Sequence, residues 1–441
     1  MSVTPFDSAL FGTLLSDPEI AALLDDRAQI RAMLDFEAAL AKAEARAGVI
    51  PQNAAAEIAT AAAALEIDPK DLAEATATDG IPVPALVARL REAVGGEAAS
   101  FVHWGSTTQD VMDTGLVLRL KQALDILDAR LAALDARLAK LAEAERATVM
   151  IARTRGQQAT PTSFGLKVAG WLAPLIRHRI RLAELRPRVE VLSCGGAAGN
   201  LSALGDKGLA VEAALAEELH LPAPAMPWHS QRDGLVELGN WLGLVAGSLG
   251  KLAGDVLLLC QNEVGELREG GGGGGSSTLP QKANPVRSEA VASLTRHACA
   301  LAGQLQGAAF HDHERDGVAW QLEWLVLPQL LVATGAALRQ TLALLDMLEV
   351  DRAKMRANID ATRGLALAEA ASFALSAHMA RPEAQKLVKA ACQEVLAGDR
   401  DLIAVLKEKT GAPVGWAALA DPAGQLGAAN DFIDRVLASR G

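Results

Sequence analysis

Two hydroxyls (Ser276, Ser277), an ammonium (Lys282) and a side-chain amide (Asn284) lie close together, directly after six consecutive glycines, Gly270 to Gly275. Such a set can hand a proton to a carbon and hold the negative charge that develops beside it. Pro280 and Pro285 fix φ around these donors. Glycine loses more backbone entropy on ordering than any other residue, so helix and strand interiors do not carry such a run. A plain flexible linker would continue with more Gly and Ser. The stretch therefore reads as an active-site lid whose trailing edge carries chemistry. On the glycines alone, a linker between two helices is the alternative.

Other polar stretches are out of place in an apolar chain. FVHWGSTTQDVMDTG, residues 101 to 115, sets one His, one Ser and two Thr ahead of an Asp. Ser106, Thr107 or Thr108 suits the N-cap of the long helix that follows, and a helix N-terminus also binds anions through its free N–H groups. RTRGQQATPTSFG (153 to 165), CGGAAGN (194 to 200), PWHSQRD (227 to 233) and FHDHERDGVAWQLEW (310 to 324) complete the set. His311, His313 and Glu314 do not suggest a metal, because i, i+2 spacing on a helix points the imidazoles apart. No metal site is expected.

Long helices must position these stretches. Leucine recurs at 120, 124, 127, 131, 134, 138 and 141, with no Gly or Pro between Gly115 and Gly156. That is a heptad seam, and it predicts a long helix packed at a shallow angle. Further helical patterns run over about 163 to 190, 232 to 268, 286 to 308 and 317 to 348, which predicts a helical bundle. In the 232 to 268 pattern, Gly239, Gly243, Gly247, Gly250 and Gly254 form a stripe that lets another backbone approach. Residues 27 to 47 form an amphipathic helix stopped by Gly48 and Pro51. No strand run alternates convincingly. The expectation is an all-α protein of three helical domains, 1–110, 111–355 and 356–441, with the long-helix bundle and the glycine loop in the middle one.

The chain has 441 residues, of which 50% are hydrophobic and only 3% aromatic, with no Tyr. Its apolar content is Ala and Leu, which favours helix. A net charge of −11 with no basic stripe argues against a nucleic-acid partner. Four scattered cysteines fit a reducing cytoplasm, and the N-terminus carries no export signal. Trp241 to Cys260 is the most membrane-like window, but Lys251, Asp255 and its glycines mark a buried core helix rather than a span.

GSSTLPQKANP (Gly275 to Pro285) closely resembles the signature loop of the aspartase/fumarase superfamily, G-S-S-x-M-P-x-K-x-N-P, departing only at Leu279. GSTTQD resembles the superfamily's first conserved region and RTRGQQATPTSFG its second, through Arg153, Thr154, Gln157, Ala159, Pro161 and Gly165. The resemblance covers most of the chain. It implies Ser276, Lys282 and Asn284 as catalytic residues. It implies substrate contacts from His103, Ser106, Thr107, Thr108, Arg155, Gln157, Gln231 and Arg315, with Thr154 and Glu289 behind them. It also implies a small polycarboxylate substrate, no cofactor and a homotetramer with active sites shared between chains.

One position departs from the pattern. The second region normally supplies a histidine as second acid/base, and this chain has Arg155. An elimination needs two proton handlers, whereas intramolecular lactonisation attacks with a carboxylate that is already ionised and needs only an acid for the carbon. The bacterial 3-carboxy-cis,cis-muconate cycloisomerases also lack the histidine. The chain is similar to them at MLDFEAALAKAEARAGVIP, VHWGSTTQDVMDTGLVL, PWHSQRD and HERDGVAWQLEW. The resemblance implies lactonisation of 3-carboxy-cis,cis-muconate, or of a 3-substituted analogue such as 3-sulfomuconate, in the protocatechuate branch of aromatic degradation. Arg155 either contacts a substrate anion or pairs with Glu289. Arg153, Arg155, Arg232, Lys282, Arg287 and Arg315 are the cations available to a polyanion. An adenylosuccinate- or argininosuccinate-type lyase is the enzymatic alternative, and a non-catalytic structural protein on the same fold is the alternative of another class.

Overall fold

The computed structural model describes residues 4–440. They divide into two compact units, each assembled from three separated segments. The first takes the chain up to Arg130, His178–Gly247 and Ser293–Arg339; the second takes Leu131–Arg177, Ser248–Ala292 and the chain from Gln340 onward. Helices dominate, as expected.

The first unit opens with α1 (Gly12–Leu15), α2 (Pro18–Leu24), α3 (Asp26–Arg46), α4 (Gln52–Ala64), α5 (Lys70–Asp79) and α6 (Val83–Val94). Asp17 and Asp25 start α2 and α3 by accepting the N–H groups of Ile20 and Ala28, the role short acidic side chains fill at an N-cap. Gly48, at φ 72°, follows the end of α3 where a left-handed residue is needed. Met33, Leu34 and Leu40 of α3 are buried in one core with Ile58, Leu86, Val111 and Leu215.

Next come α7 (Thr108–Ala144), strands β1 (Val149–Thr154) and β2 (Gln157–Ser163), α8 (Phe164–Val189), α9 (Gly208–Leu219) and α10 (Asp233–Leu259). The heptad leucines of α7 from Leu120 to Leu138 are all fully buried. Strand β3 (Leu267–Glu269), α11 (Val286–Leu305), α12 (Gly317–Met347) and β4 (Leu348–Val350) follow, and β4 pairs antiparallel with β3. The chain ends in α13 (Arg352–Asp360), α14 (Ala368–Ser376), α15 (Arg381–Ala397), α16 (Leu402–Lys409), α17 (Trp416–Leu419) and α18 (Ala429–Ala438). Leu375, Ala384, Val388 and Leu402 bind α14, α15 and α16 into a small core of the second unit.

Three expectations need correction. Strands do occur: β1 and β2 form an antiparallel hairpin in which Thr154 faces Gln157. Their sequences lack alternation because Met150 and Ile151 are both buried, with a register irregularity between Ile151 and Arg153. The 232 to 268 helix stops at Leu259, where the chain turns through Gly265 at φ 58° to become β3. His311 and His313 lie in the loop ahead of α12, with His313 at φ 55°, so helical spacing does not describe them.

The glycine stripe of α10 is used in part. A Cβ on Gly239 would meet Leu305 at 2.5 Å and one on Gly243 would meet Ala302 at 3.0 Å, so α11 packs there against bare backbone. Gly247 and Gly254 face open space. Both α10 and α12 are long and apolar enough to cross a membrane; the most apolar window of α12 is 67% buried, as in a core helix.

Gly165 shows how a motif position can be structural. A Cβ there would lie 2.6 Å from the Ala142 carbonyl oxygen and 2.7 Å from Arg146 Cα, so α8 starts against the end of α7 only with glycine. Gly165→Ala would ordinarily help a helix by about 1 kcal/mol. Here it should destabilise by about 1–3 kcal/mol through overpacking, read as a lower urea midpoint. A higher midpoint would show that the contact relaxes freely.

Candidate active site

The first unit gathers its polar stretches on one carboxylate. Asp110, in the first turn of α7, is fully buried. Its Oδ1 accepts the Gly195 N–H at 2.8 Å and lies 2.7 Å from His229 Nε2. Its Oδ2 accepts the N–H groups of Gly196 at 2.9 Å and Thr107 at 3.1 Å, and the Ser106 hydroxyl at 3.3 Å. Gly195 must be glycine, because a Cβ would meet His229 Cε1 at 2.9 Å and Pro227 Cβ at 2.8 Å. The preceding residue, Gln109, donates to the His229 carbonyl at 2.9 Å and accepts from Arg315 Nε at 2.9 Å, while Arg315 also donates to the Ala197 carbonyl. Residues 103–110, 194–200, 227–233 and the loop before α12 thus meet at one corner.

His103, at φ 61°, sets its Nδ1 2.6 Å from Glu37 Oε1. Burial alone would lower the imidazole's pKa, but the Glu37 carboxylate outweighs it and raises the pKa above 6.5. One heptad along α3, Glu44 is fully buried with neither oxygen partnered, and burial together with Glu37 pushes its carboxyl up to about 9. Glu44 is therefore uncharged at neutral pH.

Arg232, offered by the sequence as a pocket cation, is consumed. Its guanidinium is fully buried and holds both oxygens of Asp113 (2.6 and 3.0 Å) and both of Glu323 (2.7 and 2.6 Å). Burial and the second carboxylate raise the pKa of Asp113 despite Arg232, whereas Arg232 holds Glu323 low against its own burial. Gln231 is exposed.

In the second unit, the β1–β2 turn carries Arg155 at φ 51° and Gly156 at φ 78°, the signs a two-residue hairpin turn requires. Thr154, Arg155 and Gln157 are exposed there, and no ion pair joins Arg155 to Glu289 among the described residues. Arg153 is not free: it grips Glu266 through two bonds of 2.9 and 2.7 Å, and Asn358 also donates to Glu266.

The glycine loop is tied at both ends. Gly270 N–H donates to the Met347 carbonyl at 2.9 Å, and Asn284 N–H to the Gly274 carbonyl at 2.8 Å. Gly275 bridges Ala283. Only glycine fits at 274, where φ is 75° and a Cβ would collide with the Asn284 backbone. Before the glycines, Glu269 accepts the N–H groups of Arg287 (3.1 Å) and Ser288 (2.8 Å) and the Ser288 hydroxyl (2.5 Å), capping α11. Inside the loop, Ser276 Oγ accepts from Leu279 N–H at 3.0 Å and Thr278 N–H at 3.3 Å. Two donors aimed at one hydroxyl oxygen favour its ionised form, which makes it a better acid. Lys282 is exposed and bonds no side chain among the described residues.

Sequence reasoning singled out the stretches and missed the residues that hold them: Asp110, Glu37, Asp113, Glu323, Glu266 and Glu269. All are carboxylates whose partners are distant in sequence. Only Asp110 carried a local signal, standing three residues after Thr107 as in a capping box. No cluster of three or more His, Cys, Asp or Glu suited to a metal occurs among the described residues.

A family model described as "Lyase" matches residues 16–301. The chain is 46% identical to a 3-carboxy-cis,cis-muconate cycloisomerase of Pseudomonas aeruginosa, over 97% of this chain and 96% of that protein. It is 44% identical to a protein of the same name from Bradyrhizobium diazoefficiens, over 98% of each. The crystal structure of 3-carboxy-cis,cis-muconate lactonizing enzyme from Pseudomonas putida superimposes with a TM-score of 0.92 at 42% identity, covering 98% of this chain and 99% of that one.

The His103–Glu37 pair can be tested by titration. Because the folded-state pKa of His103 lies above 6.5, the pair's contribution to stability is complete below that pH and fades as pH rises through the raised value. Glu37→Gln should lower the His103 midpoint measured by NMR, and its loss of stability should be largest below that pH and shrink above it. An unmoved midpoint would remove Glu37 as the cause.

Proposed function

The chain belongs to the fumarase/aspartase family of lyases, and on that premise we propose that it is a cycloisomerase that closes 3-carboxy-cis,cis-muconate to its lactone. The observation that carries this reading is the pairing of a signature loop that departs only at Leu279 with Arg155 where the family pattern has its second proton handler. A carboxylate of the substrate attacks the conjugated diene, a C–O bond forms, and the displaced electron pair moves onto the neighbouring carbon as an enolate-like anion. One proton then completes the isomerisation. Ser276 gives it, its oxyanion held by the N–H groups of Thr278 and Leu279. The Lys282 ammonium and the Asn284 amide stabilise the enolate.

The substrate is a polycarboxylate and needs several anchors. The N–H groups of Thr108, Gln109 and Asp110 at the start of α7 find no acceptor among the described residues, and with Ser106, Thr107 and Thr108 they suit a carboxylate. His103, kept closer to its protonated form by Glu37, adds positive charge. Arg155, Gln157, Gln231 and Arg315 supply further donors. Within one copy Arg155 has no Glu289 partner among the described residues, which supports a role on the substrate. The reaction as written needs no cofactor.

We place the enzyme as a homotetramer whose active sites combine residues 103–110, 153–158, 229–232 and 276–289 from different copies. The open glycines Gly247 and Gly254 and the exposed Leu244 and Leu258 of α10 support such packing. It works as a soluble enzyme of bacterial aromatic catabolism, in the cytoplasm. The first test follows loss of diene absorbance with 3-carboxymuconate, 3-sulfomuconate and adenylosuccinate in parallel. Turnover of adenylosuccinate alone would replace the proposal with a lyase.

Two variants test the roles. Ser276→Ala should lower kcat by a hundredfold or more, in the range of about 10²–10⁴ typical of a positioned acid, with little change in KM. Activity within tenfold of wild type would remove Ser276 as the proton donor. Arg155→Met should raise KM by about ten- to a hundredfold, the equivalent of about 1.5–3 kcal/mol for bonds to a charged group, with an unchanged thermal midpoint. Arg155→His should give no gain in kcat, and a rise would overturn the single-acid mechanism.

A further inference from the structure

We propose that a cavity in the first unit, lined by none of the proposed catalytic or substrate-contacting residues, binds a small aromatic monocarboxylate. The cavity has a volume of about 640 Å³ and lies among α3, α5, α7 and α12. That is the size range of small-molecule sites, which are mainly apolar with a few placed polar groups. Its wall carries Met33, Leu72, Met112 and the Trp320–Trp324 pair, whose ring centroids are 5.0 Å apart at 63°.

The polar group is Arg119, on α7. It is 8% exposed, and its Nε donates to the Gly115 carbonyl at 3.0 Å. Its two terminal nitrogens donate to nothing among the described residues. Burial pushes its pKa down to about 10, against the pull of Asp25, so it remains a cation at neutral pH. The side chain is largely buried but its unbonded terminal nitrogens are not sealed from solvent, and a carboxylate matches their fork.

The acidic residues of the wall do not supply that acceptor. Every oxygen of Asp113 and Glu323 is already bonded to Arg232. Asp26 is exposed. A monoanion is therefore favoured over a polyanion, since Arg119 is the only cation in the lining. The aromatic wall favours a flat apolar body behind the carboxylate. This site is unlike the proposed catalytic one, where several donors await a polycarboxylate.

The test is calorimetric titration of the full chain with three probes that share one ring system: 2-naphthoate, 2-naphthylmethanol and 2-naphthylmethylamine. The carboxylate should bind about tenfold or more tighter than the alcohol, as a charge-assisted contact predicts, and the amine should bind weakest. Arg119→Met should erase the preference for the carboxylate. Ala77→Phe, at an exposed position of the cavity wall on α5, should weaken 2-naphthoate by about tenfold or more without lowering the thermal midpoint. If Arg119→Met fails to fold, the probe series and Ala77→Phe decide the matter. No binding at millimolar concentration, an amine that binds as well as the carboxylate, or binding untouched by Ala77→Phe would overturn the proposal.

Discussion

One buried carboxylate organises the polar corner of the first unit. Asp110 accepts two adjacent glycine N–H groups, a capping-position N–H and a serine hydroxyl, and it meets an imidazole as well. A carboxylate out of water is tolerated only when its lone pairs are filled, and here donors from three separate stretches fill them. Removing any one donor leaves a charged acceptor short, so the stretches stand or fall together. The glycines at 195 and 196 follow from the same demand, since backbone N–H groups must come within hydrogen-bond reach of Asp110 where side chains would collide.

The same economy runs through the second unit. Glu266 is fully buried and fixes Arg153 and Asn358, while Glu269 caps α11 and so anchors the base of the glycine loop. Carboxylates neutralise the cations that hold the scaffold, and Arg155 and Lys282 remain exposed. A chain of net charge −11 thus still presents uncommitted cations to solvent. Bulk charge reports the scaffold, and the site depends on which cations the scaffold leaves unpaired.

The long helices were legible because their burial is periodic. The leucine seam of α7 repeats along one face, and each of its members from Leu120 to Leu138 is buried. The signature loop was legible because its residue types are unusual together. The hairpin was not, since adjacent Met150 and Ile151 are both buried and the tip reads Arg-Gly rather than a familiar turn pair. The end of α10 was missed because apolar periodicity continues past the residues that turn. Carboxylates such as Glu37 and Glu323 were invisible for a different reason. On a helix an acid reads as a solvated face, and only the folded chain brings it to His103 or Arg232.

The hairpin that presents Arg155 is held by its strand pairing and by the left-handed backbone of its two tip residues, with no bond from the Arg155 side chain among the described residues. The tip therefore behaves as a socket. Whatever side chain occupies it is delivered to the same place, and exchanging that side chain leaves the socket intact. The backbone sets the admission rule: residues that tolerate positive φ enter cheaply, and β-branched ones do not. A lineage can therefore sample new side chains at this point by single substitutions drawn from a short menu, without reopening the question of how the chain folds.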